Sequence, residues 1–378
     1  MRIAMIGQKG MPASFGGVER HVHDVAVRLA KSGHDVTVYG RSWYTKKHGV
    51  FFVDGVRVVH CPSLHTKHLD TITHVFFSTV HAIARGNDIF HFHGVGPALL
   101  SFLPRVLRPK ARVVTTIHSI DRKHKKWGVF PRAMLFLGEW CACRFSHAAI
   151  AVSITIRQYV HDVFGARAVY IPNGVEVHER EETVTALLDF GIVPGKYVLA
   201  VSRFIAHKRL EDIIRAWQMI GEIGDRGHAE QLVLVGGSVH SDFYASELRN
   251  LAKNDDSIIF TGFQEGVALR ELFSHALCFV HASGQEGLPI SVIEAMSFEL
   301  PVVLSNIPEH AVLVQDYRFL FGEHDVVGFA KTLSWALSLP LQKSAMFGAE
   351  NKEKVLREFV WDEIIPMLVS LYARVLRR

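Results

Sequence analysis

The sequence predicts an α/β protein made of two successive Rossmann-like domains. At 378 residues the chain is long for a single domain, and two domains are the natural expectation. In both halves, short apolar runs alternate with segments of helical periodicity, which is typical of parallel sheets covered by helices on both faces. Turn-forming residues at 171–175 separate the halves. We therefore expect domains over 1–173 and 174–357, followed by a C-terminal helix over 358–378.

The first half begins with a strand and a glycine-rich loop. The strand covers 2–6, the loop covers 7–17, and a helix is predicted over 18–32 because its apolar residues recur on one face. The loop is longer than a G-x-G-x-x-G dinucleotide fingerprint, and no well-placed acidic residue follows about 20 residues later. A nicotinamide dehydrogenase is therefore disfavoured, and the loop predicts close approach of the backbone to another ligand. Further strands are predicted over 34–39, 56–60, 89–93, 113–117 and 148–152.

The second half repeats this plan. It begins with a strand over 197–202, a helix over 209–220 and a strand over 231–237. Three further short strands are predicted over 257–261, 276–281 and 301–305, with helices between them.

Charge is distributed unevenly along the chain. Residues 1–180 contain 24 Lys and Arg against 11 Asp and Glu, or +13, and the remainder contains 18 against 26, or −8, which together give the chain's +5. A basic first half predicts a polyanionic or membrane-surface partner for that half. The alternative is a solvated basic face without a partner.

The sequence predicts a cytoplasmic protein that is at most peripheral to a membrane. The apolar run after Arg2 is too short for a signal peptide, and the apolar stretch 94–107 is too short and too interrupted to span a bilayer. Four cysteines, at 61, 141, 143 and 278, agree with a reducing compartment. Cys141-Ala-Cys143 could be half of a metal site, but no second Cys or His pair at suitable spacing follows, which favours buried helix cysteines.

The segment 281–297 contains the most informative pattern. Glu286 and Glu294 are separated by seven residues, and Pro289 is well placed as the first residue of a helix. The N–H groups of the first helical turn would form an anion site between two carboxylates that can accept hydrogen bonds from hydroxyl groups. This combination is typical of a nucleotide-sugar site. The alternative is a solvated loop acid and a helix-surface acid, but the apolar neighbours of Glu294 make an unpaired carboxylate there costly.

Basic residues and a histidine follow other predicted strands. Arg203 and Lys208 come at the carboxyl end of the first strand of the second half, where open α/β sheets bind ligands, and they could neutralise a diphosphate. Surface charges without a ligand are the alternative, and the neighbouring His207 and Arg209 leave the choice of cation open. His118 follows the strand 113–117, and this position favours a role in a site. His91 and His93 face the same side of one strand, with a core or a ligand-lining role equally open.

Metal chemistry is not indicated by the sequence. The histidines lack clear metal-ligand spacing, and no Asp-x-Asp motif occurs in the chain. We therefore expect no bound metal.

Taken together, these motifs resemble the retaining glycosyltransferases of family 4, which have the GT-B architecture of two Rossmann-like domains facing each other across a cleft. The resemblance covers essentially the whole chain, and it implies that the C-terminal helix over 358–378 crosses back to the first domain. It rests on Gly16-Gly-Val-Glu-Arg-His-Val, Thr115-Thr-Ile-His118, Ile171-Pro-Asn-Gly-Val, Val201-Ser-Arg203 with Lys208, and the Glu286 to Glu294 segment. Within the family, the chain is similar to bacterial enzymes of exopolysaccharide, capsule or O-antigen assembly.

The resemblance implies specific roles for these residues. Arg203 and Lys208 would bind the donor diphosphate, Glu294 the ribose hydroxyls and Glu286 the hydroxyls of the transferred sugar. His118 would contact that sugar from the other domain, so that His118, Glu286, Arg203 and Lys208 form the predicted catalytic set. Further substrate-binding positions are Gly16, Gly17, Asn173, Gly287, Leu288, Pro289 and Ile290.

The resemblance also implies a mechanism and partners. The sugar would be transferred with retention by front-face attack of the acceptor hydroxyl, without a metal, and the leaving diphosphate would accept the proton. The first domain would bind the acceptor, often a lipid-linked diphosphate sugar at the cytoplasmic membrane face, and no nucleic acid is expected. The basic and apolar segment 99–112 suits an anionic membrane surface, although an ordinary sheet-covering helix is an equal alternative. An epimerase or hydrolase of the same fold, or a catalytically silent binding subunit, are the alternative functions.

Overall fold

The computed structural model describes residues 1–14, 16–45, 47–64, 66, 69–123, 128–237 and 242–377. The chain forms two compact units. The first unit comprises Met1–Gly174 and Trp361–Arg378, and the second comprises Val175–Val360. Phe15 in the predicted glycine-rich loop and Arg378 at the end of the predicted terminal helix lie outside the described residues.

The first unit is built on a twisted, mostly parallel sheet. Its strands are β1 (Arg2–Ile6), β2 (Asp35–Arg41), β3 (Val50–Val53), β4 (Val56–Cys61), β5 (Ile89–His93), β6 (Arg112–Ile117), β7 (Ala148–Ala151) and β8 (Ala168–Tyr170). Among the described residues the order across the sheet is β3-β4-β2-β1-β5-β6-β7-β8. The strands pair in parallel from β4 through to β8, and only the β3–β4 pair in this part of the chain is antiparallel.

The second unit has a fully parallel sheet in its described part. Its strands are β9 (Tyr197–Val201), β10 (Gln231–Val235), β11 (Ile258–Gly262), β12 (Cys278–His281), β13 (Val302–Ser305) and β14 (Leu320–Phe321). Their order is β11-β10-β9-β12-β13-β14. The strand order therefore reverses at β9, as it does at β1 in the first unit. Ligands of open α/β sheets bind beyond the carboxyl ends of the strands at such reversal points.

Helices connect the strands in both units. Those of the first unit are α1 (Gly17–Lys31), α2 (Asp70–Ala84), α3 (Val95–Ala98), α4 (Phe102–Leu107), α5 (Val129–Phe145) and α6 (Ile154–Phe164). Those of the second unit are α7 (Thr185–Asp189), α8 (Leu210–Glu222), α9 (Asp242–Ala252), α10 (Gly266–Ser274), α11 (Ile290–Ser297), α12 (Pro308–Ala311), α13 (Val326–Leu337) and α14 (Leu341–Glu358). In the described part of the chain, no helix is both long and apolar enough to span a bilayer.

The last helix, α15 (Trp361–Leu376), belongs to the core of the first unit. Its apolar residues recur at helical spacing and pack against α1 and the strands β1, β2 and β5. Two polar contacts fix its position: the Tyr372 hydroxyl lies 2.7 Å from His91 Nδ1, and Arg112 Nε donates to the Val375 carbonyl at 2.9 Å. The C-terminal segment is thus part of the hydrophobic core of the first unit.

Three features differ from the sequence-based expectation. The short strand β14 was not predicted, and neither was β3. The strand β3 forms a hairpin with β4 through Asp54 and Gly55, both at positive φ, which is the geometry that an Asp-Gly turn favours. Pro289 is not the first residue of its helix but its N-cap, with φ −75° and ψ 104°. Its extended ψ leaves its carbonyl to accept the first helical hydrogen bonds, from the N–H groups of Val292 and Ile293.

We predict that Leu368→Ala destabilises the first unit by about 2–5 kcal/mol, because it removes buried methyl groups and leaves a cavity. Leu368 is 3% exposed, whereas its neighbour Met367 is 42% exposed and provides a matched control. Urea unfolding of the two variants should therefore give a large shift for Leu368→Ala and almost none for Met367→Ala. Equal effects would contradict the packing of α15 into this core.

Candidate functional site

In the second unit, the loops that follow β9, β12 and β13 are tied together by hydrogen bonds. The Gly284 N–H and the Ser283 hydroxyl both donate to the His207 carbonyl, at 3.0 and 3.2 Å. The Ser305 hydroxyl donates to the Ser283 carbonyl at 2.6 Å. The turn before α8, which carries Lys208, is thereby fixed to the loop that carries Glu286.

Glu286 lies at the centre of this arrangement. Its Oε1 accepts from Lys208 Nζ at 2.5 Å and lies 2.9 Å from His281 Nε2. The side chains of Glu286, Lys208 and His281 are 11%, 13% and 3% exposed, so solvent screens this contact only weakly. The sequence assigns separate roles to Lys208 and Glu286, and the structure joins them in one ion pair.

The protonation states of this group follow from burial and charge. Burial alone would raise the pKa of Glu286, but the Lys208 ammonium and the hydrogen bond from His281 hold it well below its ordinary value. Burial, and then the Lys208 charge, lower the pKa of His281. At neutral pH, Glu286 is therefore a carboxylate and His281 a neutral imidazole.

His310 packs against the group formed by Glu286, Lys208 and His281. It is fully buried on α12, and its Nδ1 lies 2.9 Å from the Ser305 carbonyl and 3.1 Å from the Ser305 hydroxyl. Its ring packs edge-on against His281 at 5.4 Å between centroids. Burial, and then the proximity of His281, lower its pKa to about 3. His310 is thus a neutral ring that closes the back of the Glu286 site.

The helix α11 begins directly beyond Glu286. Gly287, Leu288 and Pro289 are buried and lead into Ile290, and Glu294 is half-buried in the second turn of the helix. The N–H groups at the start of a helix have no intrahelical partner and carry the positive end of its dipole. The predicted anion site therefore lies beside the ionised Glu286.

The structure distinguishes the neighbouring cations. Arg203 lies two residues beyond β9 and is exposed. Arg209 has a positive φ of 52° as the N-cap of α8, and its Nε donates to Asp212 Oδ2 at 2.6 Å. Arg209 is therefore engaged within its own helix, and Lys208 is the cation beside Glu286.

In the first unit, steric constraints explain why the loop after β1 contains glycines. Gly16 is the N-cap of α1 with φ 101°, and Gly17 is the first residue of that helix. A Cβ at Gly16 would lie 2.1 Å from Glu19 Oε2, so a side chain here would displace a carboxylate that is 7% exposed. At Gly7, a Cβ would lie 2.7 Å from the His93 carbonyl. The glycines thus allow close packing of this loop at the reversal point of the first sheet.

His118 lies at that reversal point in a group of histidines. His93 ends β5, His118 follows β6, and His21 comes from α1. His93 Nδ1 lies 3.2 Å from His118 Nε2, and the His21 ring centroid lies 5.0 Å from that of His118. Burial is the main cause that lowers the pKa of all three, to about 4 for His21 and well below the ordinary value for His93 and His118. They are therefore neutral imidazoles at neutral pH.

The remaining predicted positions of the first unit are not part of this group. His91 is held between Tyr372 and Thr116 and is a core histidine. Asn173 is buried in the loop after β8, next to Gly174, whose Cβ position is filled by the Trp361 ring. Cys141 and Cys143 lie in α5, and burial raises the pKa of both thiols. Among the described residues, neither cysteine belongs to a group of three metal-ligating side chains.

Sequence reasoning missed three residues that the structure adds to these sites. They are His21, His281 and His310. His281 is the last residue of the apolar strand β12. A position at the end of a strand also singled out His118, so His281 could have been found in a similar way. His21 and His310 lie in helices, and nothing in their local sequence indicates the side chains that they meet.

The chain and its fold have counterparts in known proteins. The Glycosyltransferase Family 4 model matches residues 15–179, and the Glycosyl transferases group 1 model matches residues 192–354. The protein is a glycosyltransferase with the GT-B fold. The chain belongs to glycosyltransferase family 4.

Individual relatives agree with this assignment. A phosphatidyl-myo-inositol mannosyltransferase of Mycolicibacterium smegmatis is 27% identical over 99% of this chain and 94% of its own length. A sucrose-phosphate synthase of Thermosynechococcus elongatus has a similar structure, with a TM-score of 0.85, 20% identity and coverage of 99% of this chain and 98% of that one. The structure of Anabaena HepE with UDP and glucose gives a TM-score of 0.80, with 17% identity over 99% of this chain and 100% of that one.

The lowered pKa of Glu286 predicts a pH-dependent contribution to stability. Because its folded-state pKa lies below the unfolded value of about 4.3, this contribution is complete above that pH and is lost as the pH falls through the folded-state pKa. The difference in unfolding free energy between the wild type and Glu286→Gln should therefore shrink on acidification below about pH 4.3. Urea unfolding at a series of pH values measures it. The exposed Glu247→Gln on α9 controls for the loss of one charge, and a pH-independent difference for Glu286→Gln would contradict the lowered pKa.

Proposed function

We propose that this enzyme transfers a sugar from a nucleotide-diphosphate sugar to a hydroxyl acceptor, with retention at the anomeric carbon and without a metal. The observation that carries the proposal is the ionised Glu286, held between Lys208 and His281 beside the start of α11. A carboxylate that stays ionised in a weakly hydrated site is a strong acceptor for hydroxyl groups. The adjacent cation and helix N-terminus suit a diphosphate.

Donor binding would use both the cations and the carboxylates of this site. The Lys208 ammonium has three donors, so it can keep Glu286 and also bind a phosphate oxygen. The exposed Arg203 would supply a second cation with bidentate geometry. Glu286 Oε2 would accept from the transferred sugar, and Glu294 from the ribose. HepE, whose structure contains UDP and glucose, supports a nucleotide-sugar donor.

Within the proposed retaining mechanism, the state of Glu286 favours front-face attack over a covalent intermediate. Its carboxylate is bound to Lys208 and His281 and is stabilised as the anion, which makes it a poor candidate for a covalent nucleophile. The acceptor hydroxyl would attack the anomeric carbon from the side on which the diphosphate leaves. As the new bond from the acceptor oxygen to that carbon forms and the bond to the diphosphate breaks, the diphosphate would accept the proton. The positive charges of Lys208 and Arg203 and the dipole of α11 would stabilise the negative charge that develops on it. These groups would do the work of a divalent ion.

His118 would act from the first unit. As a neutral imidazole it can donate from one ring nitrogen and accept at the other, and its partial exposure leaves it accessible to a sugar hydroxyl. Gly16 and Gly17 would allow the acceptor or donor to approach the start of α1 closely.

The surface that we propose for the acceptor differs in detail from the segment 99–112 that the sequence indicates. Arg108 donates to the Gly86 and Asn87 carbonyls, and Arg112 to the Val375 carbonyl, so both are used within the unit. The apolar side chains exposed near this segment extend onto α5. They include Phe102, Val106, Leu107, Val129, Phe130, Met134, Leu137 and Trp140.

This surface, which we call the α4–α5 face, combines apolar and basic residues. Gly138 lets α5 pack closely on α3, because a Cβ there would lie 2.2 Å from the Val95 carbonyl. The opposite side of α5 is left exposed, with Arg132 and Arg144 among its apolar residues and Arg105 on α4. Such a composition suits an anionic membrane surface.

We propose that the acceptor is a lipid-linked glycan intermediate of cell-surface polysaccharide synthesis at the cytoplasmic face of the membrane. The α4–α5 face supports the membrane contact, and the phosphatidyl-myo-inositol mannosyltransferase is a relative whose acceptor is a lipid. The four free cysteines agree with a reducing compartment.

We predict that Glu286→Gln and Arg203→Gln each lower kcat of transfer by about 10²–10³-fold, because each removes a charge that stabilises the transition state or orients the sugar. The exposed residues Glu247 and Arg215 of the same unit provide matched controls, as Glu247→Gln and Arg215→Gln. Product formation from UDP-, GDP- and dTDP-sugars with a lipid-linked acceptor measures the effect.

The same panel of donors distinguishes sugar transfer from the alternative functions. Transfer requires an acceptor, epimerisation does not, and a silent binding subunit turns over no donor. Proton NMR of the product gives its anomeric configuration, and inversion would contradict the retaining mechanism. Unchanged kcat for Glu286→Gln would contradict its assigned role.

We predict that Phe130→Ser together with Leu137→Ser reduces binding to vesicles that contain anionic lipid by about 10-fold or more, because each buried aromatic or leucine side chain contributes about 1.5–3 kcal/mol. Leu188→Ser is the matched control, since Leu188 is an exposed leucine, 68% accessible, in the second unit. Co-sedimentation with anionic and with neutral vesicles measures binding, and indifference of the wild type to lipid charge would contradict the proposal.

A further inference from the structure

The three histidines at the reversal point of the first sheet have the composition of a metal site. One ring nitrogen from each of His21, His93 and His118 lies within 4.8 Å of the corresponding nitrogens of the other two. Imidazole nitrogen is a preferred ligand of Zn²⁺ and of Cu²⁺ or Ni²⁺, and three histidines with one open position form a known type of zinc site.

The spacing between two of these nitrogens matches metal geometry. A Zn–N bond of about 2.0–2.1 Å and a tetrahedral angle place two ligand nitrogens about 3.3 Å apart. His93 Nδ1 and His118 Nε2 are 3.2 Å apart. They come from the ends of neighbouring parallel strands, so the sheet fixes their separation. A ring nitrogen of His21, on α1, lies within 4.8 Å of both groups.

An unpaired nitrogen of His21 points the same way. The His21 side chain is 6% exposed. In the described part of the chain, its Nδ1 is buried without a hydrogen-bond partner. Buried polar atoms are usually paired, and a bound ligand or ion is one reason for such exceptions.

The other buried histidines of the two units are poorer candidates for metal binding. Both nitrogens of His91 are engaged, with Tyr372 and Thr116. In the second unit, His281, Glu286 and His310 also lie within 4.8 Å of one another. There, however, the carboxylate is already paired with the Lys208 ammonium, which opposes the binding of another cation.

We propose that His21, His93 and His118 form a binding site for a divalent transition-metal ion of the Zn²⁺ class, and that this ion inhibits the enzyme. Metal binding would occupy the His118 nitrogen that the sugar needs, and the fourth coordination position would hold water. The site goes beyond the proposed transfer reaction, which uses no metal. Hard cations such as Mg²⁺ prefer oxygen ligands and would not bind here.

The proposal is tested by titrating the full-length, tag-free protein, stripped of metal, with Zn²⁺ in a calorimeter without donor or acceptor. One Zn²⁺ should bind per chain. His21→Asn and His118→Asn should each weaken this binding by about 10-fold or more, since even the loss of an outer-shell partner costs 10–100-fold. The matched controls His281→Asn and His310→Asn should bind Zn²⁺ as the wild type does. Circular dichroism shows that each variant is folded.

Two further measurements identify the ligands and the consequence. Co²⁺ bound in place of Zn²⁺ should give the visible absorption of a tetrahedral site with nitrogen and oxygen ligands, without the near-ultraviolet band of a thiolate ligand. In the transfer assay, Zn²⁺ should inhibit at the concentrations at which it binds, Mg²⁺ should not, and a chelator should restore activity.

The Zn²⁺ titration does not depend on enzymatic activity. A negative result there is therefore distinguishable from failure of the proposed transfer reaction. No Zn²⁺ uptake by the wild type, unchanged binding by folded His21→Asn and His118→Asn, or a thiolate band with Co²⁺ would each overturn the site. Full transfer activity of the Zn²⁺-bound enzyme would overturn the inhibition.

Discussion

The contact between Lys208 and Glu286 is the interaction on which the second unit's site depends. It joins two loops that lie far apart in the sequence, and hydrogen bonds from Ser283, Gly284 and Ser305 hold those loops in place. An ammonium and a carboxylate that are both mostly buried stabilise each other only when the geometry is good, because each has given up hydration. His281 adds a hydrogen bond to the same carboxylate oxygen. The result is an anion held in a fixed place, beside a helix N-terminus.

Sheet topology explains why both units have a site of this kind. In each sheet the strand order runs outward on both sides of a central strand, β1 in the first unit and β9 in the second. The loops at the carboxyl ends of the strands therefore diverge at that strand. In the second unit this point holds Lys208 and Glu286. In the first unit it holds the glycine loop, His93 and His118. The same architecture therefore produces a charged site in one unit and a neutral, imidazole-lined site in the other, because the side chains differ while the strand ends do not.

Much of the fold was predictable because its signals are local. Strand and helix periodicities, the glycines at turns and the Asp-Gly hairpin signal lie within short segments. The meaning of Asp54-Gly55 was nevertheless overlooked, and β14, a strand of two residues, is too short to show a pattern. The helix α15 was predicted from its apolar spacing. Its contribution to the core of the first unit depends on contacts with α1 and β5 that no local pattern contains. The contacts of Arg108 and Arg112 in the basic segment 99–112 were not predictable for a similar reason, since both donate to backbone carbonyls from distant parts of the chain.

The sequence by itself determined the α/β class and the strand-end residues Arg203, Lys208, Glu286 and His118, because parallel sheets bind ligands at strand ends whatever the rest of the fold does. Only the tertiary structure decided which of them touch. It paired Lys208 with Glu286, kept Arg209 within its own helix, and brought His21 from α1 to the histidines of two strands. Such contacts join residues separated by tens of positions, and their formation depends on packing and desolvation that spacing along the chain does not contain.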